Sequence, residues 1–189
     1  MLFKDQSFEF DSKLLQKDLS EFISERLKNY LREKQVRNDI IESSTNISNV
    51  DEILKIYKKS VALNRNIKKE LGQDVVSIYK RSSKILYSER ENSLEILGSA
   101  DPGLFKNDFE KNLYKRIHDI RKYFSSAGKT ENYDESLQTL SLAKTETDAF
   151  FENVIVNDND PSIKKNRLEL LKMLCKSFEN YFNFSKIEA

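Results

Sequence analysis

From Asp11 onward, apolar residues recur three and four positions apart: Leu15, Leu19, Phe22, Ile23, Leu27, Tyr30 and Leu31. That spacing draws one stripe along an α-helix, and Asp11 supplies a side-chain acceptor for its first unpaired N–H groups. A shorter helical piece is expected around 38–44, followed by the polar link SSTNIS. The next helix starts near Ser48 or Asn49 and carries Val50, Ile53, Leu54, Tyr57 and Val61 on one side. LNRNIKKELGQD is a weak interval. Beyond it, a helix over 74–88 gathers Val75, Val76, Ile78, Tyr79, Ser82, Ile85 and Leu86 on an inner arc. At about 100° per residue, Lys80 and Lys84 fall together on the opposite side, with Arg81 at the flank.

The segment ERENSLEILGSADPGLFKND reads as a loop with at most one helical turn. A helix over 108–124 then turns Phe109, Leu113, Ile117 and Ile120 inward. SAGKTENYD is a break, after which a short helix over 133–142 is expected. Thr147, or a residue just before it, opens a helix whose Phe150 and Phe151 share a register with Val154 and Ile155, so both rings read as core. Asp160-Pro161 marks a helix start, Asp as the cap and Pro at the first helical position. That last helix is expected to reach about Phe182. No internal repeat and no sustained heptad pattern interrupts this reading. The fold class is all-α, a helical bundle of six to eight helices.

Composition narrows the picture. At 189 residues the chain suffices for one domain with a sizeable core. Its 4 Gly and 2 Pro are too few for the turns of a sandwich or barrel. No window approaches the roughly 20 apolar residues a membrane span requires, and MLFKDQSFEFD lacks the zones of a signal peptide. A lone cysteine, Cys175, fits a reducing, cytoplasmic setting. The 32 basic and 31 acidic residues nearly cancel, yet residues 55–84 hold nine basic side chains against two acidic ones. Such a local excess attracts polyanions, although a solvated helix surface explains it equally well.

Catalytic chemistry is missing. His118 is the single histidine, and with one Cys it cannot complete a zinc site of the usual kind. The four glycines are isolated, so no phosphate-cradling loop exists. No spacing singles out a carboxylate pair, and Cys175 lies on the apolar arc of the last helix. No catalytic residue and no metal ligand is assigned.

Specific patterns do appear in the C-terminal half. DPGLFKNDFEKNLYKRI (101–117) follows the form D-P-x-L-F…E-x-x-L-Y. YDESLQTLSLAKTETDAFFENVIVNDNDPSIKKNRLELL (133–171) follows Y-x-x-x-L-x-x-L, D-A-F-F-D-x-V-x-V and R-x-N-R-L-x-L-L. NFSKIEA closes the chain; upstream lie FISERLKNYLREKQVRNDIIES (22–43) and YKRSSKIL (79–86). Together these resemble the C-terminal anticodon-binding region of the β subunit of bacterial, heterotetrameric glycyl-tRNA synthetase. The resemblance covers about residues 20–189 and is weakest between Val61 and Asp74. Four positions depart from that pattern: Glu152 replaces an Asp, Asn157 a Met, Lys164 an Arg and Lys84 an Asn.

The resemblance implies a helical anticodon-binding domain of the arginyl-tRNA-synthetase-like type, supporting ATP-dependent attachment of glycine to tRNA-Gly. Its implied partners are tRNA-Gly, the synthetase α subunit and the rest of β; ATP and Mg belong to the α subunit, and no cofactor belongs to this part. Residues 1–20 then read as a lead-in from a longer parent chain and 21–189 as the domain itself. The alternative is a helical protein–protein interaction module that binds no nucleic acid.

Anticodon bases are read splayed out, stacked on aromatic or guanidinium planes and hydrogen-bonded at their edges, while phosphates supply affinity. Candidate phosphate contacts are Lys80, Arg81 and Lys84 on one helix, and Lys164 and Lys165 where another begins. Candidate base contacts are Asn153, Asn166 and Arg167, although Asn166 equally suits a brace for the acidic turn NDND. Arg167 falls within the apolar arc of Ile163, Leu170, Leu171, Leu174 and Tyr181, where a cation needs a partner. Asp148 or Glu152 on the preceding helix is the expected partner in a structural ion pair; direct RNA contact is the other reading.

Overall fold

A computed structural model describes residues 11–44, 53–89, 95–126, 132–179 and 181–188. Among the described residues eight α-helices follow one another: α1 (Ser12–Glu33), α2 (Asn38–Ser44), α3 (Ile53–Asn66), α4 (Glu70–Ser88), α5 (Asp108–Ser126), α6 (Tyr133–Ser141), α7 (Lys144–Asn153) and α8 (Pro161–Glu179). Single 3-10 turns lie at Pro102–Leu104 and Phe184–Lys186. Among the described residues there is no strand, and no helix is long and apolar enough to cross a membrane.

α8 is the axis of the bundle. Twelve of its 19 residues are buried, on every side of the helix, so it needs neighbours all round. α4 and α5 pack against it, α7 bridges α4 and α5, and α6 closes onto α3, α4 and α5. The C-terminal residues complete this core. Phe184 is fully buried among Tyr79, Phe178 and Tyr181, with ring centroids 5.8 Å, 6.0 Å and 6.3 Å away. The chain end is tied to α2: Glu188 N–H donates to Asp39 Oδ2 at 2.8 Å, and Arg37 Nη2 donates to the Glu188 carbonyl at 2.9 Å.

Three expectations need correction. The interval LNRNIKKELGQD is helical for most of its length, because α3 runs to Asn66 and α4 opens at Glu70. The corner between them is tight enough that a Cβ on Gly72 would meet the backbone of Asn66. Only glycine lets the second helix begin so close to the end of the first. The buried face of α3 is accordingly Ser60, Ala62, Leu63 and Asn66, while Leu54 points to solvent.

α7 starts at Lys144, three residues before Thr147, since α6 passes into it through a single turn at Leu142 and Ala143. Finally, the stripe of α1 is covered only at its C-terminal end. Leu27 and Leu31 are buried, whereas Leu15, Leu19 and Phe22 are exposed. The division expected at residue 20 therefore falls within a continuous helix, near the point where its apolar face loses cover. Residues 48–52, expected to open α3, lie outside the described residues.

Candidate nucleic-acid interface

The α7–α8 corner is built around Arg167. Asp160 caps α8, its Oδ1 accepting from the N–H groups of Ser162 (2.8 Å) and Ile163 (3.4 Å). About two turns later Arg167 points inward, with only 6% of its side chain exposed. Its Nε donates to Glu110 Oε1 at 2.7 Å. Its Nη1 donates to the Ile155 carbonyl at 2.9 Å and to Asp158 Oδ2 at 2.6 Å. Arg167 is thus ion-paired, but neither Asp148 nor Glu152 is the partner. Asp148 lies on the α4-facing flank of α7, paired with Lys144, and Glu152 faces solvent.

Glu110 opens α5 and is fully buried. Its second oxygen accepts from the N–H groups of Lys106 (2.7 Å) and Asn107 (3.1 Å), while Asn107 Oδ1 accepts from Glu110 N–H at 3.1 Å. This reciprocal capping box fixes the start of α5 and leaves no bare charge in the interior. The N–H of Asp160, followed by the Arg167 guanidinium, holds the Asp158 carboxyl below its ordinary range.

The neighbours of Arg167 are engaged as well. Asn166 is buried, and its amide bridges the backbone of Asp101: Oδ1 accepts from Asp101 N–H at 2.7 Å, and Nδ2 donates to the Asp101 carbonyl at 3.0 Å. It braces the D-P-G-L-F loop rather than the acidic turn, and its edge is not offered to a base. Glu169 accepts from the N–H groups of Leu97 (3.1 Å), Gly98 and Ser99 (2.9 Å). Gly98 adopts φ +77°, the left-handed region that favours glycine. Sequence reasoning passes over Glu169, although a glutamate on an otherwise apolar turn of α8 is a signal. Lys164 is held by Glu89 at the end of α4, N–O 2.8 Å, with its side chain 20% exposed. Lys165 is exposed. Asn153 is exposed, its Nδ2 donating to the Ala149 carbonyl at 2.8 Å.

The face where α4 meets α7 is different. Arg81 and Lys84 are exposed and Lys80 is half-buried. The Arg81 guanidinium lies over the Phe151 ring, 4.2 Å from its centroid. Phe150 is fully buried beneath, edge-on to Phe151 at 5.4 Å, so only one of the two phenylalanines is wholly core. Arg81 Nη1 stands 3.9 Å from Asp148 Oδ1, and Lys144 pairs with Asp148 Oδ2. Tyr87, 71% exposed, follows Lys84 by three residues, close to the Lys80–Lys84 side of α4. An aromatic at that spacing from the cations is a signal the sequence carries and periodicity alone does not weigh. Together these groups combine ammonium charge for phosphates with flat cationic and aromatic surfaces for bases.

Elsewhere, an open cleft of about 380 Å³ between α5 and α7 is lined by Phe109, Asn112 and Lys115, with Arg116 paired to Glu146 at 2.7 Å. Cys175 is buried in α8, where burial pushes its thiol up to about 12. His118 sits on the exposed side of α5 against the Tyr114 ring.

Residues 75–189, from the first turns of α4 to the end, match the DALR anticodon binding domain. The chain belongs to that family. It is also similar to the glycine–tRNA ligase β subunit of Ruegeria sp. (strain TM1040), with 28% identity over 173 residues. That alignment covers 91% of this chain but 25% of the relative, so the chain spans about a quarter of the relative's length. As a DALR domain, the α4–α8 bundle places both the buried Arg167 clamp and the exposed α4/α7 face within the family's bounds, and α1–α3 outside them.

Proposed function

We propose that this chain is the tRNA-binding, anticodon-recognising part of a glycine–tRNA ligase β subunit. It serves the ATP-dependent attachment of glycine to tRNA-Gly, carried out together with an α subunit in a cytoplasmic heterotetramer. ATP and Mg act at the α subunit, and no residue here takes part in the chemical step. The observation that carries this reading is the coincidence of the DALR match with an exposed cationic and aromatic face on its first helix, α4. Lys80, Lys84 and Lys165 contact phosphates, and Arg81 and Tyr87 offer stacking surfaces. Asn153 keeps a carbonyl oxygen at the end of α7 for a base edge.

Binding of tRNA-Gly transcripts, native and with the two anticodon cytosines changed, measured across a salt series, tests it. The expected result is a log–log salt slope of about −0.7 to −0.9 per phosphate neutralised, with weaker binding to the altered anticodon. Equal affinity for every tRNA would leave a basic surface but no anticodon recognition. No binding at low salt would favour a helical protein-interaction module instead.

A further inference from the structure

On the α4/α7 face a carboxylate, Asp148, sits among cations. Lys80, Arg81 and Lys84 come from α4, Lys144 from α7, and Asp148 lies where the two helices meet. A surface meant for phosphate alone gains nothing from a negative charge at its centre, which repels the phosphate oxygens. The geometry gives Asp148 another use. Its Oδ2 is anchored by Lys144 one helical turn away. Its Oδ1 lies 3.9 Å from Arg81 Nη1, too far for a hydrogen bond, and no other donor reaches it among the described residues. With 38% of the side chain exposed, that oxygen is an acceptor held in place with lone pairs open to an incoming donor.

Arg81 completes the arrangement. Its guanidinium rests on the Phe151 ring, and Phe151 is backed by the fully buried Phe150. The plane of the cation is therefore fixed by what lies beneath it, and its outer side faces solvent, the Arg81 side chain being 51% exposed. A planar group stacked on that outer side brings its edge towards Asp148.

We propose that Arg81 and Asp148 form a reading site for a cytosine base, which stacks on the guanidinium and donates its exocyclic amino group to Asp148 Oδ1. A carboxylate accepts well from that amino group. Uracil presents a carbonyl at the same place, so acceptor meets acceptor and the base is rejected. Lys80 and Lys84, on the same helix, take the phosphates that flank the base. The proposal rests on the anticodon-binding reading above and adds the residue that selects the base.

The test uses the whole 189-residue chain and anticodon stem–loop RNAs of tRNA-Gly, with each anticodon cytosine replaced singly by uracil. Affinities are measured for the wild type, Asp148→Asn and Arg81→Lys, with circular dichroism confirming the fold of each variant. For the wild type, one of the two replacements is expected to weaken binding about 10-fold, within the range of a good base contact. In Asp148→Asn the native loop weakens by a similar factor while the uracil loop is unchanged, so the preference falls to near unity. Arg81→Lys keeps the charge but loses the plane, and weakens native and uracil loops alike. A Lys variant that binds as tightly as wild type overturns the stacking, and an Asn variant that retains the cytosine preference overturns the reading role. Either result leaves the anticodon-binding reading intact. Failure of the wild type to bind any loop at low salt removes both.

Discussion

Two runs of cations mark this molecule, K-R-x-x-K on α4 and K-K-N-R at the start of α8, and the fold uses them in opposite ways. On α8, Arg167 is buried with donors directed at Glu110, Asp158 and the Ile155 carbonyl. Asn166 is bound to Asp101, and Lys164 to Glu89. On α4, Arg81 and Lys84 stay exposed, and Arg81 is steadied by an aromatic ring and a distant carboxylate without being enclosed. The difference comes from position in the bundle. α8 is surrounded, so a cation on most of its faces must be paired internally. α4 turns one face to α8 and the opposite one to solvent, where charge remains available to a ligand. A cationic motif therefore indicates a ligand surface only where the helix that carries it has an open side.

The largest effect expected from this contrast is on stability. Replacing Arg167 with Met strands the fully buried Glu110, and removal of one partner of such a pair costs about 3–5 kcal/mol. Urea denaturation should show that loss, while the double variant Arg81→Glu/Lys84→Glu, which gives up the exposed contact of Arg81 with Phe151, costs only about 1 kcal/mol. An Arg167→Met protein as stable as wild type would show that the clamp is dispensable. Glu169→Gln is a milder break of the same region. It weakens charge-assisted bonds to the backbone of Leu97, Gly98 and Ser99, costing about 1.5–3 kcal/mol. Faster amide exchange confined to residues 97–99 is the expected signature; exchange that rises uniformly across α8 would mean the glutamate supports the helix rather than the loop.

The reverse experiment is read in RNA binding. Arg81→Glu/Lys84→Glu should reduce affinity for every tRNA and flatten the salt slope by about 0.7–0.9 for each phosphate no longer neutralised. Unchanged binding would move the RNA surface off α4 altogether.

Much of this arrangement is legible in the chain, for identifiable reasons. Helices α5, α6 and α8 can be read because their apolar spacing and their caps agree, as Asp160-Pro161 does for α8. By contrast, α4 is read from apolar spacing alone and begins four residues before the expected 74, with no side-chain cap. That Arg167 needs a partner follows from its place on an apolar arc. Which partner it takes does not, because Glu110 is 57 residues away and only the packing of α5 on α8 brings them together. The α3–α4 corner escapes sequence reading because its buried apolar residues, Ala62, Leu63 and Ile67, are interspersed with buried Ser60, Asn66 and Gly72, which carry no apolar signal. In α1 the opposite error arises: periodicity reports a helix with an apolar face, and says nothing of whether that face is covered.

Acid should weaken the α8 corner through Asp158 and the α3–α6 contact through Asp134. The Asp158 carboxyl is held below its ordinary 3.8 by the Asp160 N–H and Arg167, and Asp134 below the same value by Arg65 and Asn66. For each group the unfolded chain binds protons more readily than the folded one. The stability it contributes is complete above 3.8 and is lost as pH falls through the depressed folded value. An Asp158→Asn variant should therefore differ from wild type at neutral pH and converge with it in unfolding scans as pH falls through the depressed folded value. A gap that persists there would mean that Asp158 acts through shape rather than charge.

The smallest contrast is also the closest in sequence. Lys164 and Lys165 are adjacent, yet the first is locked to Glu89 at 2.8 Å while the second is exposed at the start of α8. The N–H groups at the start of α8 are already taken by Asp160, so a phosphate contact there falls to a side chain, and the exposed Lys165 can make it where the ion-paired Lys164 cannot. Lys165→Ala should lower tRNA affinity a few-fold and take about 0.7–0.9 from the salt slope, with no change in unfolding. Lys164→Ala should leave the slope alone and cost stability, because the largely covered Glu89 then loses that cation. If the two substitutions exchange these effects, the ion pair opens when RNA arrives, and the division between a structural α8 and a binding α4 breaks down at that corner.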